Sequence, residues 1–66
     1  MNSIYMAHVA DAITEVTGDD DYDAAAAQAP ALLGKSMALR MTARKFAAGE
    51  ASEAELHRAV RHAIRL

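Results

Sequence analysis

Leu32-Leu33-Gly34-Lys35-Ser36-Met37-Ala38-Leu39-Arg40-Met41-Thr42-Ala43-Arg44-Lys45-Phe46-Ala47-Ala48 is the longest helix-like run in the chain, and its reading decides the fold. At about 100° per residue, Leu32, Leu39, Ala43, Phe46 and Ala47 form one apolar seam, and Leu33, Met37, Met41 and Ala48 form a second beside it. A helix with two seams needs two sets of neighbours. Flanking segments of the same chain cover one, and a second copy or a foreign partner covers the other. Gly34 followed by Ser36 marks a place where such a helix can stop and be recapped. Glycine costs only ~1 kcal/mol in a helix interior, which packing overrides, so the run is read as one helix over residues 31–48.

Upstream, Pro30 disfavours helical geometry at Ala29 and suits the first turn of a new helix, which places a break near Ala29. The preceding alanines, over residues 21–29, have high helix propensity and little side chain to bury. Such a thin helix is expected to lie flat against the central one. Asp20 or Asp21 supplies its N-cap. Asp19, Asp21 and Asp23 have the alternate spacing that opens an EF-hand loop, but the sixth loop position is Ala24 rather than glycine and the twelfth is Pro30 rather than glutamate. Aspartates at a cap and in a first turn, facing the positive end of the helix dipole, account for the run without calcium.

The two outer segments carry clearer signals. Met6, Val9, Ile13 and Val16 recur at spacings of three, four and three, a narrow stripe on a helix over residues 3–17. Asn2 or Ser3 is its candidate N-cap, and Gly18 its left-handed C-terminal stop. Tyr5 flanks the stripe, and His8 reads as a solvated surface residue. After Gly49, a second glycine stop, Ser52-Glu53-Ala54-Glu55 is a capping box that opens a helix over residues 53–65. That helix buries Leu56, Ala59, Val60, Ala63 and Ile64 on one side and carries Arg58, Arg61 and Arg65 within about 60° of one another on the other. The fold class is therefore all-α: one domain over residues 1–66, a small bundle of three to four helices, with Leu39, Phe46, Leu56 and Val60 at its centre.

Composition limits the chemistry. With 66 residues and no cysteine, the chain has neither a disulfide framework nor a thiolate metal site, and a domain of this size buries only about 60% of its unfolded surface. Self-association is the natural supplement, and a homodimer joined through the Met37–Met41 seam is expected. No apolar run approaches the ~18 residues of a membrane span, and the first residues lack the basic-then-apolar order of a signal peptide, so a cytoplasmic protein without membrane contact is expected. Residues 1–34 hold six acids and no Lys or Arg, a balance of -6; residues 35–66 hold seven basic residues against three acids, a balance of +4. The chain is an acid–base dipole.

No catalytic, metal or cofactor signature is present, and no small-molecule substrate is implied. His57 and His62 are five apart, so they diverge on a helix and do not form an i, i+4 metal clamp; Ser52 is a cap, with no third residue to orient His57 as its base. The residues that carry an interaction are Met37, Arg40, Met41 and Arg44, where adaptable thioethers lie beside guanidinium forks, together with Arg58, Arg61 and Arg65. These point to a non-enzymatic protein–protein interaction module, a small regulator, adaptor or inhibitor that docks on a larger partner. The alternative is a small nucleic-acid binder that sets the C-terminal arginines on phosphates, against which the acidic half argues.

Overall fold

The described residues of the computed structural model are 3–66, with side chains described from residue 5. They form four helices and no strand: α1 (Ser3–Thr17), α2 (Tyr22–Lys35), α3 (Met37–Ala47) and α4 (Glu53–Arg65). The candidate caps Asn2 and Ser3 lie outside the residues whose side chains are described.

The glycine stops and the caps at Asp21 and Ser52 are built as the sequence implies. Gly18 takes φ +74° and its N–H donates to Thr14 O at 2.9 Å, a single left-handed turn that ends α1. Asp21 caps α2, its Oδ1 accepting from Ala24 N at 3.1 Å. Asp19 Oδ1 accepts from Asp21 N at 3.0 Å, so the acidic run is locally occupied in shaping the turn. Gly49, at φ +78°, donates to Phe46 O at 3.0 Å while Glu50 N donates to Lys45 O at 2.7 Å, the paired bonds of a Schellman ending. Ser52 opens α4 with both capping-box bonds: Glu55 N donates to Ser52 Oγ at 3.2 Å, and Ser52 N donates to Glu55 Oε1 at 3.5 Å.

The middle of the chain departs from the sequence reading in two ways. Pro30 lies inside α2 and does not end it. Proline removes one bond, to the carbonyl four residues back at Ala26, but Ala26 and Pro30 are both exposed, so water replaces that bond. Ala25, Ala29 and Leu32 meanwhile stay buried at helical spacing across the proline, and their packing holds the helix together. The break falls instead at Ser36. A continuous helix over residues 22–47 would run about 39 Å at 1.5 Å per residue. The longest dimension of the molecule is 27 Å, so such a helix would leave the core it has to cover.

Ser36 makes the joint in a single residue. Its N–H donates to Leu32 O at 3.1 Å and ends α2, its Oγ accepts from Leu39 N at 3.1 Å, and its carbonyl accepts from Arg40 N at 3.1 Å to start α3. It is 4% exposed, the one buried polar residue among those described, and all of its polar groups are bonded.

The core draws on all four helices: Val9, Ala10, Ala12 and Ile13 from α1, Ala25, Ala29 and Leu32 from α2, Leu39 and Ala43 from α3, and Leu56, Val60 and Ala63 from α4. Half of these are alanine, which lets backbones approach closely. The thin helix α2 uses that chiefly against α1, not against the central helix as its composition suggested. Leu39, Leu56 and Val60 are central as expected, but Phe46 is half-buried at the margin, and Val9 and Ile13 of α1 are the other large side chains buried in full. The radius of gyration is 10.3 Å, against about 10.8 Å for a compact domain of this length. One copy of the chain therefore closes the Leu39–Ala43 seam by itself.

Candidate protein-interaction face

The second seam is not closed. On α3, Leu39 and Ala43 point into the bundle and Phe46 flanks them, so Met37, Met41, Arg44 and Ala48 fall directly opposite on a 100° wheel. Met37 is 65% exposed and Met41 53% exposed, the large apolar side chains that α3 leaves in water. Met41, Arg44 and Lys45 share an open concavity of about 420 Å³ with Ala48 and Glu50. On the other shoulder of α3, an open groove of about 430 Å³ runs between α3 and α4, with Ala38, Thr42 and Ala59 as its small-residue floor and Glu55, Arg58 and His62 along α4. Ala38, Met41, Thr42 and Lys45 are i, i+3 and i+4 neighbours, so the two concavities flank one ridge.

Of the seven residues read as partner-binding, the structure brings Met37, Met41 and Arg44 together on the outer side of α3, with Arg58 facing the adjoining groove. Arg40 is drawn away. Its Nη1 donates to Leu33 O at 2.6 Å and to Gly34 O at 3.2 Å, so it caps the C-terminal carbonyls of α2, a task created by the break at Ser36. Arg61 and Arg65 stand exposed on α4, Arg65 in the last turn, and neither lines the two concavities. Glu55, the acid on the groove wall, is committed to its own helix cap, with Oε1 accepting from Ser52 Oγ at 3.4 Å. Glu50 lies with Arg44 and Lys45, and Glu55 with Arg58, but among the described residues no hydrogen bond joins either acid to a cation, and the three cations exceed the two acids.

Among the described residues Asp19, Asp21 and Glu55 accept from nearby backbone amides or a serine hydroxyl, and no hydrogen bond joins a carboxylate to a guanidinium or ammonium group. Sequence reasoning missed Ala38, Thr42, Lys45, Ala59 and His62 as parts of this face. The signal available was the i, i+4 pair of small residues Ala38 and Thr42 on one helix and the small Ala59 on the other, which leaves a furrow where the two meet.

A third concavity lies between α1, α4 and the end of α3. The His8 ring meets the Phe46 ring edge-on, with centroids 4.9 Å apart and planes at 79°, so His8 is a half-buried packing residue rather than a solvated one. Around that pair Asp11, Glu15, Glu53 and His57 line a cavity of about 70 Å³. Ligand pockets run to about 300–1,000 Å³, so this one has room for a few waters and not for a metabolite. Its lining has no hydroxyl or thiol nucleophile, and among the described residues no group of three or more His, Asp or Glu is placed to hold a metal ion. His57 faces this cavity and His62 the α3–α4 groove, so the two histidines diverge as their spacing requires.

Among the described residues no helix is long and apolar enough to cross a membrane. Comparison with models of protein families, with curated proteins and with solved structures found no match to this chain.

Proposed function

We propose that this protein is a non-enzymatic interaction module, a small regulator, adaptor or inhibitor that docks on a larger protein through the outer side of α3 and the adjoining wall of α4. The supporting observation is the exposure of Met37 and Met41, at 65% and 53%, beside the cations of Arg44, Lys45 and Arg58. Flexible thioethers adapt to a partner's apolar surface, and guanidinium groups fork onto its carboxylates or backbone carbonyls. The proposal takes the setting to be cytoplasmic, and it includes self-association as a property of the same face.

The nucleic-acid reading draws support from Arg58, Arg61 and Arg65, all exposed on α4. The exposed methionines tell against it, because phosphate contact gives no reason to leave two thioethers in water. The test is a pull-down from source cells with and without nuclease, using the parent chain and Met41→Asp. Capture that survives nuclease and is lost with Met41→Asp supports the module. Capture abolished by nuclease, and weakening steeply with salt, transfers the function to nucleic acid. Capture unchanged by Met41→Asp overturns the assignment of the face.

A further inference from the structure

The acidic turn between α1 and α2 matches the α3–α4 face in charge and in shape. Asp19, Asp20, Asp21, Tyr22 and Asp23 are all exposed there, and Tyr22, at 44%, stands among four carboxylates. Asp20 and Asp23 make no side-chain hydrogen bond among the described residues, and no Lys or Arg occurs before Lys35. The turn is thus an aromatic ring within an acidic patch that, among the described residues, makes no hydrogen bond to a cation. The α3 face is the converse: thioethers beside Arg44, Lys45 and Arg58, three cations against the two acids Glu50 and Glu55 of the same concavities. Within one molecule the two ends of the match are kept apart, since α2, about 21 Å long at 1.5 Å per residue, separates Tyr22 from Met37.

We propose that the Met37–Met41 face is occupied by the Asp19–Asp23 turn of a second copy of this chain. Tyr22 of one copy packs on the thioethers of the other, a favourable sulfur–aromatic contact, and Asp20 and Asp23 face Arg44 and Arg58. This rests on the reading of the α3–α4 side as a docking face and adds its regulation: self-association covers the surface a foreign partner would use, so the two compete. It also revises the expected geometry of the dimer. Two Met37–Met41 seams laid on each other would set Arg44 and Arg58 against their own copies, and like charges across an interface are unfavourable. Seam against turn removes that conflict, and two such contacts, one in each direction, close a dimer around a two-fold axis. The contact is small, so association belongs to the weak, salt-sensitive class.

The test is sedimentation velocity over a hundredfold range of concentration, at low and high salt. Its subjects are the parent, a charge-reversed turn (Asp20→Lys with Asp23→Lys) and a charge-reversed face (Arg44→Glu with Arg58→Glu). Asp21, the cap of α2, is left in place, and circular dichroism establishes that each variant is folded. The parent is expected to form a heavier species that high salt disperses. Each variant alone should sediment as the 7.0 kDa chain, and a 1:1 mixture of the two should recover the heavier species, because both contacts are then again of opposite charge. A parent that stays at 7.0 kDa throughout, a variant that still self-associates, or a mixture of folded variants that stays apart each overturns the proposal. Tyr22→Ser separates this outcome from the docking reading, since it alters the turn alone: it should abolish self-association and leave capture by the α3–α4 face intact. If Tyr22→Ser self-associates like the parent, the second-copy assignment fails while the docking reading stands; if capture also ignores Met41→Asp, both fail.

Discussion

Ser36 ends one helix and begins the next, so its hydroxyl is worth more than that of a surface cap. Removing it in Ser36→Ala leaves the Leu39 N–H without its acceptor at a position 4% exposed, where water cannot substitute. The expected loss lies toward the upper end of the ~0.5–2 kcal/mol range for N-caps, read as a lower urea midpoint by circular dichroism, and Ser36→Thr should recover most of it. Two residues earlier the effect reverses. Gly34 is helical and exposed, and a Cβ built there meets nothing within 4 Å. Gly34→Ala is therefore expected to stabilise the fold by ~0.4–1 kcal/mol, mainly by restricting the unfolded chain, with a higher melting temperature as the check. The signals legible in the sequence were of this local kind. Gly18, Gly49 and the Ser52–Glu55 box each act within six residues, so their outcome does not depend on the rest of the fold.

At the scale of elements, legibility falls because the deciding facts are not local. Nothing near Pro30 says that α2 continues through it; buried contacts made by Ala25, Ala29 and Leu32 on either side decide that. Nothing near Ser36 says that the helix must end there; the 27 Å length of the bundle does. Arg40 was misjudged for the same reason, since its bonds to Leu33 and Gly34 exist only once α2 and α3 separate. The wheel of α3 still makes a graded prediction. Leu39 is fully buried and Phe46 only half, so Leu39→Ala should cost ~2–5 kcal/mol, and Phe46→Ala, despite its larger side chain, should fall below the usual ~3–5 kcal/mol for aromatic truncation. Denaturant titrations of the two variants, compared at equal concentration, measure the order. On α4 the expectation is the opposite, because Arg58, Arg61 and Arg65 are exposed and bury nothing in the core. Replacing all three with glutamine, a comparable helix former, should leave the circular dichroism spectrum unchanged while partner capture falls; capture at the parent level would make them solvating charges only.

For the molecule as a whole, charge is divided along the chain, with six of the nine acids before residue 35 and all seven Lys and Arg from there on, and no carboxylate–cation hydrogen bond is made among the described side chains. What holds the helices is apolar contact, and half of the buried apolar residues are alanine. Unfolding such a core exposes little apolar surface for its length, and newly exposed apolar surface is what raises the heat capacity of the unfolded chain. The increment on unfolding, measured by scanning calorimetry, should therefore fall below the roughly 0.8–1.0 kcal/mol/K that 66 residues average. A small increment flattens the dependence of stability on temperature. Cooling should therefore weaken this bundle less than one held by leucine and phenylalanine, and its cold-denaturation limit should lie correspondingly lower.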